Sequence, residues 1–210
     1  MFMRNCLLCL LIVVLAAHAQ TEPGGMVLKD FGKLLGIPED FSTQVEISVG
    51  GGEPGGMVLN SRMFVGKVGV RYEMEMPGGF GTMTTLALTD GEATKIYMLS
   101  PNQKVYTELP QAPRQVYSEE QYKIDDVGTD TVNGIACQKK NLTDPKGKVV
   151  SIWLKKGEPI PVKCLLEEKG IQVNMLFKDF KAGPVDPELL KVPVDYKKGS
   201  PLSGFLNTNP

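Results

Sequence analysis

Apolar and polar residues alternate with a period of two over most of this chain. In Lys67 to Met76 (KVGVRYEMEM), Val68, Val70, Tyr72, Met74 and Met76 share one side, while Lys67, Arg71, Glu73 and Glu75 share the other. A helix would scatter these residues around its circumference, so the pattern predicts a strand with one wet face. The same alternation marks STQVEISV, with Val45, Ile47 and Val49 on one side, and Ile171 to Phe177, where Ile171, Val173, Met175 and Phe177 alternate with polar residues. Further strands are expected at Met83 to Leu88, Thr94 to Ser100 and Lys104 to Leu109.

Turn chemistry separates these runs. Asp90-Gly91 and Pro101-Asn102 lie between the middle strands, and Asn133-Gly134 between DVGTDTV and IACQKKNL is a strong two-residue hairpin signal. Asp144-Pro145-Lys146-Gly147, Gly157-Glu158-Pro159 and Lys169-Gly170 divide the remainder into VVSIWLK, PVKCLLEE and IQVNMLFKDF. The result is an antiparallel meander of about ten strands in one sheet or partial barrel. Helical spacing is confined to Met26 to Leu35 and to a short helix begun by Asp186-Pro187-Glu188, with aspartate as N-cap and proline at the first helical position. Gln111 to Gln121 reads as a crossover or a short helix. The heptapeptide EPGGMVL occurs at Glu22 to Leu28 and again at Glu53 to Leu59. It is either a local duplication in a glycine-rich segment or a pair of mobile apolar flaps over a cavity mouth.

The N-terminus follows a different pattern. Arg4 precedes an unbroken apolar run, Cys6 to Ala17, and then Ala17-His18-Ala19, the small-x-small motif of a signal peptidase site. The run is too short for a membrane span, which needs about 20 apolar residues. Residues 1–19 therefore read as a signal peptide cut between Ala19 and Gln20, residues 20–198 as one domain, and residues 199–210 as a flexible tail; the competing reading of the leader is a retained N-terminal anchor. No cysteine follows the apolar run, so the leader is not that of an acylated lipoprotein, and no stable membrane anchor survives cleavage. The expected location is the periplasm or the exterior.

Cleavage changes the available chemistry. His18 is the single histidine of the 210 residues, so the mature chain holds no imidazole for a Ser-His-Asp or Cys-His centre, or for the usual zinc and iron sites. Without Arg4 the balance is 22 basic to 24 acidic residues, a net charge of −2, which offers no surplus to grip a nucleic-acid backbone. No phosphate loop, dinucleotide fingerprint or nucleophile elbow occurs. Asp125-Asp126-Val-Gly-Thr-Asp130 is the nearest approach to a calcium loop and reads as solvated turn chemistry. No catalytic, cofactor-binding or metal-ligating residue is assigned. Cys137 and Cys164 remain after cleavage, either bridged or as two buried thiols; a flat meander would set them two strand spacings apart, about 9.5 Å and beyond disulfide reach.

The methionines have two readings. Met57, Met63, Met74, Met76, Met83, Met98 and Met175 lie in or beside strands, where they either fill a core or line a cavity for flexible apolar ligands. On the second reading the lining consists of Val68, Val70, Tyr72, Met74, Met76, Leu86, Leu88, Met98, Ile171, Val173, Met175 and Phe177.

Several segments, taken in order, resemble a bacterial family of exported proteins of unknown function grouped with the LolA-like periplasmic lipoprotein carriers. They are RYEMEMPGG, LTDGEATKIYMLSPNQKVYTEL, DVGTDTVNGIACQKKNL, SIWLKKG with PIPVK, and LLKVPVDYKK, spanning most of residues 60–198. The resemblance implies a mainly β (β-rich α+β) fold, an open, curved antiparallel half-barrel closed on its concave side by short helices and loops, with a hydrophobic interior. It also implies a non-enzymatic role, binding a lipid, lipoprotein or other hydrophobic ligand. The alternative is an envelope protein-interaction or stress-sensing module without lipid cargo. The glycine-rich N-terminal part departs from the carriers, and no catalytic motif is carried over.

Overall fold

The computed structural model describes residues 32–50, 57–76, 81–90, 93–109, 121–168 and 171–199. These form one sheet of twelve strands that does not close on itself, in the order β12-β6-β5-β4-β3-β2-β1-β11-β10-β9-β8-β7. The strands are β1 (Phe41–Val49), β2 (Met57–Gly66), β3 (Gly69–Glu75), β4 (Thr82–Asp90), β5 (Ala93–Ser100), β6 (Val105–Glu108), β7 (Lys123–Val132), β8 (Ile135–Thr143), β9 (Val149–Lys155), β10 (Pro161–Glu168), β11 (Ile171–Ala182) and β12 (Lys197–Lys198). Every neighbour is antiparallel except β12, which runs parallel to β6.

The sheet is two meanders joined at their middle. From β1 the chain runs outward through β6; the second meander starts at the opposite edge with β7 and works inward to β11, which pairs with β1 through Val45↔Phe177 and Ile47↔Met175. The hairpins form where turn residues allow it. Asn133 and Gly134 both take positive φ, 49° and 79°, as a tight primed turn requires. Asp144 Oδ1 accepts from the backbone N–H of both Lys146 and Lys148, holding the loop before β9.

Two strands exceed the number expected. β2 begins inside the second EPGGMVL copy, so Val58 and Leu59 are strand residues: Leu59 is buried in the core and Val58 faces outward, 57% exposed. Its Met-Val-Leu end is therefore strand and no flap, while Glu53 to Gly56 and the first copy lie outside the described residues. The stretch beyond Tyr196 is also ordered at its start, where Lys197 and Lys198 pair with Val105 and Tyr106. The helix expected from Asp186 is a 3-10 turn over Pro187–Leu190, N-capped by Asp186, whose carboxylate accepts from Glu188 N–H. Gly32 to Ile37 is a turn closed on the Gly32 carbonyl; the rest of the expected Met26 to Leu35 helix, nearly all of Gln111 to Gln121, residues 1–19 and the tail beyond Gly199 fall outside the described residues.

Period-two alternation gives the sheet an inner and an outer face. The inner one carries the main core, including Phe41, Val45, Ile47, Met63, Val65, Val70, Cys164, Met175 and Phe177. It is concave. Tyr72 on β3 and Cys164 on β10 are four strand spacings apart, about 19 Å across a flat sheet, yet Cys164 lies near enough for its ionised form to raise the pKa of the Tyr72 hydroxyl. Only a strong curl brings them together. Irregular pairing at Asp126/Gly128, Pro161/Lys163 and Ser42/Gln44 supplies local bending and twist.

On the convex face, the C-terminal segment covers β3 to β6. Leu190 is buried with Leu86 and Leu99, joined by Leu88, Tyr97, Tyr106, Val185 and Tyr196. Arg71, itself buried, donates from Nε to Glu73 (2.8 Å) and from an Nη to the Leu189 carbonyl (3.2 Å), while Arg62 pairs with the other Glu73 oxygen at 2.6 Å. Gly183 N–H donates to the Asp40 carbonyl at the other end of this cover. A Cβ on Gly66 would stand 2.7 Å from a Leu190 methyl, so Leu190 rests on bare backbone.

Truncating this anchor tests the arrangement. Leu190→Ala should cost about 2–4 kcal/mol in urea unfolding. Gly66→Ala should also destabilise the protein, but less so in the Leu190→Ala background, because the methyl it meets is gone; the double-mutant cycle measures that coupling.

Candidate functional site

The concave face is apolar along its middle and half-open at one end. In the row through Ile47, the cross-strand partners Leu59, Ile47, Met175, Cys164 and Ile152 are all buried. One pleat repeat further along, Val49, Val173 and Leu166 are only half-buried, and beyond them Ile171 is 45% exposed. Met74 on β3 is half-buried against the same core, and a methionine cluster of Met76, Met83 and Met98 adjoins it. An apolar trough thus meets solvent at a rim made of side chains that would otherwise be expected inside.

Nine of the twelve residues expected to line a cavity lie on this face. Val70, Met76, Met98, Met175 and Phe177 are buried, Tyr72, Met74 and Val173 half-buried, and Ile171 stands at the rim. The other three do not join them. Val68 sits in the β2–β3 turn, 52% exposed. Leu86 and Leu88 point the opposite way from Ala87 and pack under the C-terminal segment. β4 is apolar on both faces, since Ala87 and Met83 serve the trough while Leu86 and Leu88 serve the cover, so alternation gave no guide there. Val45, Ile47, Leu59, Met63, Val65, Ile152 and Cys164 also belong to the concave core and were not among the expected lining residues. The alternation of Val45 and Ile47 was the signal that pointed to the first two.

Among the described residues, the polar groups in the middle of the trough are neutral. Burial, and secondarily the neighbouring Cys164, push the pKa of the Tyr72 hydroxyl up, so the phenol stays protonated. Its oxygen is buried and has no hydrogen-bond partner among the described residues. Burial pushes the Cys164 thiol up to about 12. Ser61 Oγ, also buried, donates to the Val45 carbonyl at 3.4 Å. At the β8 end of the face, Lys140 is paired with Asp126 at 2.5 Å. This arrangement can shelter an apolar chain and offer it one donor.

The cysteines are separated by the sheet itself. Both are free: Cys164 lies in the concave core, and Cys137 lies in a convex cluster with Val132, Trp153 and Val162. Cys137 also has its pKa raised, chiefly by burial, and its thiol donates to the Ile135 carbonyl. Above it, Trp153 Nε1–H donates to Asp130 Oδ2 at 2.8 Å, and the ammonium groups of its cross-strand partners Lys139 and Lys163 stand 4.8 and 4.7 Å from the ring centroid. The acidic run at Asp125 is part of the bulged edge strand β7, and not a turn; Asp125 pairs with Lys123 and Asp126 with Lys140. No group of three metal-ligating side chains occurs among the described residues.

A model for a domain of unknown function, DUF4412, matches residues 53–158, about half of the chain. No curated protein matches its sequence. Among solved structures, it is similar to an uncharacterized conserved protein from Thermus thermophilus, with a TM-score of 0.53 and 14% identity over 85% of this chain and 99% of that one. That likeness shows a shared fold. A DUF1329 family protein from Desulfovibrio piger (TM-score 0.47, 10% identity, 80% and 96% coverage) and a LolA superfamily protein from Nitrosomonas europaea (TM-score 0.44, 10% identity, 79% and 96% coverage) are also similar.

The placement of the two thiols has a direct readout. In a chain beginning at Gln20, a thiol reagent should count two free thiols after unfolding, and both should react slowly in the folded protein near pH 8, because neutral, buried sulfur is a poor nucleophile. Fewer than two thiols in the unfolded chain would contradict the opposed orientations.

Proposed function

The chain belongs to the DUF4412 family, and we propose that it is a non-enzymatic, exported protein that binds a hydrophobic ligand, a lipid or the lipid moiety of a lipidated protein, in the concave trough. One observation carries this reading: the apolar face of a curled, unclosed sheet reaches solvent at a rim of half-buried Val49, Leu166 and Val173, with Ile171 exposed. Apolar surface left at such a rim is favourable to cover, at about 25 cal/mol per Å². The leader of residues 1–19, cut after Ala19, would deliver the protein to the periplasm or the exterior, where a diffusible shelter for acyl chains has use. The sequence resemblance to LolA-like carriers agrees with this role.

Protein purified from its own cells should carry lipid detectable by native mass spectrometry. Protein that arrives empty, binds no fluorescent fatty acid, and instead crosslinks to a stoichiometric protein partner would replace this reading with that of a docking module. Affinity for saturated fatty acids should rise about fourfold per added methylene until the trough is filled, following the roughly 0.8 kcal/mol gained per buried CH₂. Val173→Asp puts a carboxylate on the rim; it should weaken binding by about tenfold or more while the melting midpoint stays within a few degrees of the parent's.

A further inference from the structure

The described residues contain four buried side-chain oxygens without a standard hydrogen bond, and their positions separate them. Glu73 Oε2 lies 2.6 Å from an Arg62 nitrogen, so its charge is met. Thr84 and Asn174 are on the convex side, in register with Glu73 and Ser48 respectively. Tyr72 alone of the four aims into the trough, between Met63 on β2 and Thr85 on β4. Its ring is part-exposed while its hydroxyl is buried.

A donor in that position is costly to leave unmet, because it has lost water and gained nothing. Phenylalanine would give the same ring without the cost. Resting on the reading above, we infer that the trough takes ligands bearing an acyl carbonyl or carboxyl oxygen, and that the Tyr72 hydroxyl donates a hydrogen bond to that oxygen. The raised pKa of the phenol keeps the proton on it throughout the neutral range, so it acts as a donor. Cys164, facing it from β10, holds its proton too and adds no charge that would repel a carboxylate. A free fatty acid and an ester lipid present the same oxygen.

The test uses the chain from Gln20 loaded with diphenylhexatriene, a hydrocarbon fluorophore, and three displacing ligands of equal length: oleic acid, methyl oleate and octadecene. The parent should prefer the oxygen-bearing ligands over octadecene by about tenfold, the value of one well-placed hydrogen bond. Tyr72→Phe should abolish that preference, leave octadecene unchanged, and raise the melting midpoint by roughly 2–4 °C as the unmet donor disappears. A gain for oleic acid alone assigns a free carboxylate, and a gain for both assigns an acyl carbonyl. If Tyr72→Phe keeps the preference, or lowers the midpoint, the inference fails while the trough remains a lipid site. If the parent takes up neither the fluorophore nor any of the three ligands, the lipid reading fails and takes this inference with it.

Discussion

The ladder between β1 and β11 is the interaction on which everything else rests. It joins residues some 130 positions apart in the chain, from Phe41↔Ala182 to Val49↔Val173, and it is the seam between two meanders that would otherwise be separate sheets. Each meander alone would leave its apolar side in water. Joined, they place Val45 and Ile47 against Phe177 and Met175 and make a single curled face. Such non-local pairing must pay its loop-closure entropy before the contacts reward it, which makes this a slow-folding topology. The inner face is incomplete until β11 joins β1, because the first meander alone leaves β1 as an open edge.

Alternation made most of the sheet legible from the amino-acid sequence, and its failures have local causes. β3 and β11 read clearly because one face is polar in each. β2 was hidden behind glycines and a repeated heptapeptide, although Leu59, Ser61, Met63 and Val65 do alternate with Asn60, Arg62 and Phe64. In β4 both faces are occupied, so no pattern could assign Leu86 and Leu88 to the cover side. The cysteines show the limit of counting along the chain. Their separation by one strand was visible, but the opposite facing of Cys137 and Cys164 depends on hairpin register and on the irregularity between Pro161 and Lys163. The unmet hydroxyl of Tyr72 was not legible at all, because a tyrosine in an alternating strand looks like any other core residue.

An unclosed sheet has two edges, and this one manages each differently. The β6 edge is capped by the parallel pair Lys197–Lys198, held by the Lys104–Asp195 ion pair and by the segment that Arg71 fastens to the convex face. The β7 edge has no such cap among the described residues. It carries a bulge at Val127, a glycine at φ 130°, and the carboxylates of Asp125, Asp126 and Asp130. A bent, acidic edge discourages a second chain from pairing there, and the same acids hold Lys123, Lys140 and the indole of Trp153.

That indole is the single tryptophan of the chain, and it faces away from the trough, hydrogen-bonded to Asp130 and flanked by Lys139 and Lys163. The molecule therefore contains its own optical probe in a useful location. Its emission follows the integrity of the β7–β10 half of the sheet, and no ligand seated on the inner face touches it. Melting can therefore be followed without an added label, and the signal does not change with occupancy of the inner face.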